Sequence, residues 1–244
     1  MNISICLATY NGAEYIAQQL TSILKQLEVS DEVIVLDDCS KDNTLDIVRS
    51  FNDDRIKIFS NEKNRGHVYS FGHVVGLANN DIIFMSDQDD IWIDGRIKLM
   101  KDELLESKAL LVSTNSDFID SKGNKIDFTL DGVSAESSQK YFSNIIDIFV
   151  GKTNYVGCAM AFKKELRNLI LPMPSYVESH DLWIAMGANI IKSNLHLDEP
   201  TLYRRIHGNN ASIIKRKLGP KLWSRVIFSI SMIQLYFRSL LRKR

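Results

Sequence analysis

The sequence predicts an α/β protein: a mostly parallel sheet with helices on both faces, an α+β second half and a C-terminal amphipathic helix. Three observations predict it. Short apolar runs alternate with segments of helical period roughly every 25 residues as far as Ser113, the pattern of right-handed strand–helix–strand crossovers. Beyond Ser113 that alternation lapses. From Lys221 onward apolar residues return at three- and four-residue spacing, punctuated by basic residues with no acidic ones among them.

Each element has its own signal. Ile3 to Ala8 is an apolar run ended by Thr9-Tyr10-Asn11-Gly12, and Glu14 to Leu27 then places Ile16, Leu20, Ile23, Leu24 and Leu27 along one helix face. Glu32 to Asp37 reads as a second buried strand, followed by the turn Asp38-Cys39-Ser40-Lys41 and a helix capped near Asp42, with Leu45, Val48 and Phe51 facing inward. Arg55 to Ser60 gives a third strand, Tyr69 to Ala78 a helix, and Asp81 to Ser86 a fourth strand running into Asp87-Gln88-Asp89-Asp90. Ala109 to Ser113 is a further strand. Asp117 to Phe128 looks like a hairpin around Ser121-Lys122-Gly123-Asn124, and Leu130 to Asn154 is polar without clear period.

Composition narrows the function classes. A chain of 244 residues, 45% hydrophobic and 25% charged, can bury a real core and is not a disordered segment. Cys6, Cys39 and Cys158 are odd in number and widely spaced, which argues against a disulfide framework or a C-x-x-C metal knuckle and for a reducing, cytoplasmic setting. Met1 to Leu7 has no basic segment followed by a long apolar run, so it reads as a first strand rather than a signal peptide. The formal net charge of zero conceals an asymmetry: residues 215–244 hold nine Lys or Arg and no Asp or Glu, against a matching acidic excess in the body. There is no internal repeat or low-complexity tract. The simplest division is one domain over 1–214, with a nucleotide-sugar-binding half over 1–113 and an acceptor-side half over 114–214, plus a basic tail over 215–244.

The polar groups Thr9 to Asn11, Asp37-Asp38 and Asp87 to Asp90 each follow the carboxyl end of an expected strand, where ligands bind in open parallel sheets. Glycine-loop nucleotide signatures, G-x-G-x-x-G and G-x-x-x-x-G-K-[ST], are absent, so a bound phosphate needs another means of neutralisation. Clustered carboxylates can supply it through Mg²⁺ or Mn²⁺. The alternative is a solvated turn capping a helix that starts near Trp92; position at the end of a buried strand, with Asp37-Asp38 at the same edge, favours the metal reading.

Six segments resemble the family 2 glycosyltransferases of GT-A fold, and among them the bacterial rhamnosyltransferase-like branch that builds surface polysaccharides. They are Leu7 to Gly12, Val35 to Thr44, Asn64-Arg65-Gly66, Ser86 to Trp92, Ser179 to Trp183 and Tyr203 to Ser212, in the family's order. The resemblance implies a Rossmann-like GT-A core and an inverting, metal-dependent transfer of glucose, galactose or rhamnose from a nucleoside diphosphate sugar (a UDP-hexose or dTDP-rhamnose) to a polyprenyl-diphosphate-linked sugar, in O-antigen or capsule assembly. It implies that Thr9 and Tyr10 line the base pocket, with Asp38 as base contact and Asp37 supporting it, and that Asn11 belongs to the nucleotide-sugar site. It further implies Asp87 at the ribose, Asp89 on Mn²⁺ or Mg²⁺, and Asp181 as the base that deprotonates the acceptor hydroxyl. Two roles stay open for Arg65, phosphate contact or surface arginine; for His207, metal ligand or solvated loop residue; for His180, acceptor contact or loop-shaping residue; and for Trp92 and Trp183, sugar stacking or core.

The tail falls short of the apolar length a membrane span needs. An in-plane amphipathic helix on the cytoplasmic face of the inner membrane is expected, against the alternative of a terminal helix docked on the acidic body. No nucleic-acid partner is expected. Two other functions compete: a nucleotidyltransferase or diphosphate hydrolase, which would need a basic loop that Thr9 to Glu14 lacks, and a sugar-nucleotide-binding module without transfer activity.

Overall fold

The computed structural model describes residues 1–152, 155–207 and 218–241. The motif segment Gly208 to Ser212, its Asn-Ala-Ser triplet, and the basic residues 215–217 and 242–244 lie outside the described residues. In chain order the elements are β1 (Ile3–Thr9), α1 (Ile16–Leu24), β2 (Glu32–Asp37), α2 (Thr44–Ser50), β3 (Ile56–Ser60), α3 (His67–Leu77), β4 (Ile82–Ser86), β5 (Ile91–Trp92), α4 (Arg96–Glu106), β6 (Leu111–Ile119), α5 (Tyr141–Val150), β7 (Met160–Lys163), α6 (Arg167–Ile170), α7 (His180–Ile190), β8 (Asn194–Arg205) and α8 (Leu218–Leu241).

Eight strands form one sheet in the order β3-β2-β1-β4-β7-β6-β8-β5. The first four are parallel, as the alternation predicts. Beyond β4 the sheet is mixed: β7 runs antiparallel to both β4 and β6, β6 and β8 pair in parallel, and β5 closes the edge antiparallel to β8. The expectation of a mostly parallel sheet is thus corrected to a mixed one, consistent with a GT-A-like core. The reason is physical: β7 needs only four residues to hydrogen-bond between two longer strands, too short a run to carry a period.

Side chains alternate across the pleat, so the sheet has a core on each face. Cys6, Ile34, Leu36, Ile83 and Met85 pack with α3 and α7. Ile5, Leu7, Val33, Val35 and Phe84 pack with α1 and α4. Trp92 and Trp183 each belong to one of these cores, 1% and 2% exposed, so neither offers a face to a sugar.

Three local expectations change. Trp92 lies in β5, not at a helix start, and α4 begins only at Arg96, so the acidic run caps no helix. Asp117 to Ile119 ends β6, and the expected hairpin reduces to a turn closed by the single bridge Ile119–Lys125. Leu130 to Asn154, taken as aperiodic, contains α5.

The tail folds as α8 and docks one face on the body. Leu235 is fully buried near Gly187, and Arg238 donates to the carbonyls of Leu169 (3.1 Å) and Pro172 (2.8 Å) while its guanidinium lies over Trp183. Among the described residues no helix is long and apolar enough to cross a membrane.

Candidate active site

Because β2, β1 and β4 are parallel neighbours, their carboxyl ends lie side by side and the three following loops bond to one another. Gln88 joins the first to the third: its Oε1 accepts from Thr9 Oγ1 (2.6 Å) and Tyr10 N (2.8 Å), and its Nε2 donates to Tyr10 O (3.1 Å). Gly12 lies directly beneath this amide: a Cβ there would stand 2.3 Å from Gln88 Oε1 and would displace it. Asn11 joins the first loop to the second: its Oδ1 accepts from Lys41 N and its N–H donates to Ser40 Oγ, both 2.8 Å. That clamp holds Asn11 at φ 49°, in the left-handed region asparagine tolerates.

The carboxylates at the end of β2 are occupied by loop construction. Asp37 accepts from Ser40 N–H and Ser40 O–H. Asp38 Oδ1 accepts from Asn61 Nδ2 (2.8 Å) and Arg65 N (2.8 Å), and Oδ2 from Gly66 N (2.7 Å), so one buried carboxylate shapes the Asn64-Arg65-Gly66 turn. The Arg65 side chain lies over the Tyr69 ring at 4.1 Å.

These loops bound a cavity of about 510 Å³, within the range of small-ligand sites. Thr9, Tyr10, Asp38, Asp87 and Asp89 line one side; Glu178, Ser179, His180 and Asp181, entering α7, line the other. Asn11, Asp37, Arg65 and His207 stand outside the lining. A larger groove of about 830 Å³ between α3 and α6 has no carboxylate in its lining, whereas the smaller cavity gathers Asp38, Asp87, Asp89, Asp90, Glu178 and Asp181.

Asp181 sits in the first turn of α7, but the helix cap is Ser179. Asp181 Oδ1 accepts from Leu182 N (2.8 Å) and from the Ser179 hydroxyl, which fixes the carboxylate and leaves Oδ2 with no protein hydrogen bond among the described residues. His180 is buried beside it, its ring stacked on Phe71 at 4.1 Å and both ring nitrogens without a partner. Burial pulls its pKa down to about 4, so the ring is neutral at physiological pH.

Sequence reasoning assigned no role to two arginines that organise the acidic side. Arg204 lines the cavity; burial opposes its charge, but Cys158, Asp90, Asp87 and Asp181 around it outweigh burial and raise its pKa. Arg205 is buried and donates to the carbonyls of Asp89 (2.8 Å), Asp120 (3.2 Å) and Ser121 (3.1 Å) and to Gln18 Oε1 (2.7 Å), while its N–H reaches Asp90 Oδ1 (3.1 Å). The visible signal was the Arg204-Arg205 pair, which ends β8.

His207 Nε2 lies 2.8 Å from Asp89 Oδ2. The Asp89 carboxylate is a hard oxygen donor of the kind Mn²⁺ or Mg²⁺ takes, with the imidazole beside it a softer nitrogen donor. Asp87, Asp90 and Cys158, with ligand atoms within 4.8 Å of one another, could also coordinate a divalent ion. There the carboxyls of Asp87 and Asp90 are pushed up in pKa, first by burial and then by neighbouring negative charge. Asp90 Oδ2 is buried with no oxygen or nitrogen partner, an atom a cation would satisfy. Burial raises the Cys158 thiol well above its ordinary value, so it stays protonated and suits a hard cation poorly.

The chain is 30% identical over 219 residues to the dTDP-rhamnosyl transferase RfbG of Shigella flexneri, covering 84% of this chain and 72% of that one. It is 32% identical over 117 residues to the UDP-Glc:alpha-D-GlcNAc-diphosphoundecaprenol beta-1,3-glucosyltransferase WfgD of Escherichia coli, covering 48% of this chain and 46% of the relative. Among solved structures, S. aureus TarS 1-349 in complex with UDP-GlcNAc superposes with a TM-score of 0.72 at 19% identity, over 95% of this chain and 66% of that one. The chain thus spans from under half to under three-quarters of the length of these proteins. The two relatives are named for different donors, dTDP-rhamnose and UDP-Glc, and single out no one branch. The profile of Glycosyl transferase family 2 matches residues 4–170, more than half of the chain, and the chain belongs to that family.

Proposed function

We propose that this protein moves a hexose or 6-deoxyhexose from a nucleoside diphosphate sugar to a lipid-linked sugar acceptor, with inversion. The observation that carries the proposal is the cavity itself, where Asp181 stands opposite Thr9, Asp38, Asp87 and Asp89 with Arg204 among them. In this reading the nucleotide lies over the ends of β1 and β2, with Thr9 and Tyr10 beside the base and the Asp38-shaped turn closing over it. Asp87 meets the ribose. Arg204 presents positive charge to the diphosphate, and Asp89 with His207 would hold Mn²⁺ or Mg²⁺. That ion would supply Lewis-acid neutralisation of the leaving diphosphate.

Asp181 accepts the acceptor hydroxyl's proton on Oδ2 as the oxygen attacks the anomeric carbon. A new glycosidic C–O bond forms, the bond to the diphosphate oxygen breaks, and the nucleoside diphosphate departs with the electron pair. Glucose, galactose and rhamnose are the donor sugars this reading carries, and rhamnose and glucose are those named for the two relatives. A polyprenyl diphosphate acceptor, as in O-antigen or capsule assembly, is supported by the acceptor named for the second relative.

The test is Asp181→Asn. Nucleotide-sugar binding by calorimetry should persist while the transfer rate falls by ~10²–10⁴. Full activity in this variant removes the base assignment, and a chain that binds nucleotide sugars without any transfer supports a binding module.

A further inference from the structure

Helix α8 has two apolar faces, and the body covers one. Ile227, Phe228 and Leu235 point inward together with three serines, Ser224, Ser231 and Ser239. The larger apolar side chains point out: Trp223 and Phe237 are each 60% exposed, and Leu222, Val226, Ile230 and Ile233 accompany them. A helix that places serines against the protein and tryptophan and phenylalanine outside inverts the pattern of a water-facing helix.

The exposed surface continues onto α5. Phe142 is 77% exposed, and Ile146, Phe149 and Val150 follow at helical spacing on the same side. Arg225 of α8 bridges the two helices, its guanidinium 5.9 Å from the Phe149 ring. Contiguous apolar surface of this kind marks an interaction site rather than ordinary solvent exposure.

We propose that α5 and the outer face of α8 together form a docking surface for an anionic lipid bilayer, both helices entering the interface side by side. Charge decides the occupant. Residues 215–244 hold nine Lys or Arg and no acid, so the stretch of sequence that carries the exposed apolar face of α8 is also strongly cationic, the combination that binds anionic headgroups. A second copy pairing through this face would bring two such cationic segments together and meet repulsion that a lipid surface relieves.

The surface adjoins the cavity. Ser224 of α8 donates to Glu178 Oε2 at 2.6 Å, and Tyr176 bonds Gln234, so the loop that delivers Glu178, Ser179 and Asp181 to the cavity is held by α8. A lipid-linked sugar in the bilayer would therefore meet the protein on the side where the base stands. This last step rests on the function proposed above; the docking does not.

The full chain is mixed with vesicles of phosphatidylcholine alone, or containing about 30% phosphatidylglycerol, with no sugar nucleotide present. Trp92 and Trp183 are already buried, so a blue shift of intrinsic fluorescence reports Trp223 entering the interface. The expected result is a blue shift and co-sedimentation with the anionic vesicles only. The Phe142→Ser/Ile146→Ser/Phe149→Ser variant, checked for an unchanged melting temperature, should bind roughly tenfold more weakly or worse. Unchanged binding by that variant overturns the role of α5. Equal binding to both vesicles, or no binding by a chain that light scattering shows to be a dimer, overturns the bilayer. Vesicle binding by a chain that transfers no sugar leaves this inference standing and sinks the proposed function.

Discussion

Gly157→Ala tests the packing beside the proposed base most directly. A Cβ at residue 157 would stand 2.4 Å from His180 Nε2, with two more ring atoms at 3.2 and 3.4 Å. Relieving that overlap needs a shift of about 1 Å in a close-packed interior. The imidazole has nowhere to go: it is stacked on buried Phe71 at 4.1 Å, with His67 edge-on at 5.8 Å. Overpacking of this kind costs ~1–3 kcal/mol, which in a domain of this size lowers Tm by ~2–4 °C for each kcal/mol. Asp181 is the next residue and shares the first turn of α7, so its carboxylate shifts with the ring. Misplacing a catalytic group by that distance costs up to ~10² in kcat. Thermal unfolding and steady-state transfer measure the two effects. The Gly157→Ala/His180→Ala double variant should be more stable than the sum of its single changes, because the clashing ring is gone. A Gly157→Ala protein with wild-type Tm and kcat refutes the reasoning.

Further outcomes follow from the same geometry. Asp89→Ala and His207→Ala should each weaken Mn²⁺ binding, read by calorimetry on the protein without substrate; equal affinity in both variants removes the pair as a metal site. Asp38→Ala removes three hydrogen bonds to the 61–66 loop and should raise the dissociation constant for nucleotide sugar at least about tenfold while leaving metal binding unchanged. Acid should destabilise the fold through His180, whose folded pKa of about 4 lies below its ordinary 6.5. A base with a depressed folded pKa contributes full stability above about pH 6.5 and loses it as pH falls toward 4, here ~3 kcal/mol. His196, also held near pKa 4 by burial, adds to this slope, whereas the raised carboxyls of Asp87 and Asp90 act in the opposite sense, so the His180 contribution is read by urea unfolding as the difference between the wild-type slope and that of His180→Gln.

The parallel half of the fold is legible because its signals are local and redundant. Strands β2 and β4 are unbroken buried runs and β1 is buried but for the half-buried Ala8, and each ends in the polar residues that line or brace the cavity. Helix α5 was missed although Phe142, Ile146 and Phe149 recur at helical spacing: the stripe is only ten residues long within a polar stretch, and it faces outward, with only Asn144 and Ile148 buried. Arg204 and Gln88 escaped notice because their importance arises from contacts across the fold; Gln88 acquires its role only when Thr9 and Tyr10 are brought to it. The two tryptophans follow acidic motifs in the chain, but their environment is set by β5 and α7, which turn both rings into the cores.

The two sides of the cavity are built to different standards of rigidity, and this bears on what each side does. The donor side rests on three adjacent parallel strands whose loops are cross-bonded by Gln88, Asn11 and Asp38, so its geometry is set before any ligand arrives. The base side hangs on the segment 174–181, secured by the Ser179 cap, by the His180 ring between Phe71 and Gly157, and by α8 through Glu178 and Tyr176. In the proposed function the strand-end side reads the nucleotide and the other admits an acceptor. Coupling the base-bearing segment to α8 places acceptor-side geometry under the control of whatever α8 contacts, while the strand-end loops stay independent of it. Changes to the outer face of α8 should therefore move kcat and the acceptor KM together and leave the donor dissociation constant unchanged.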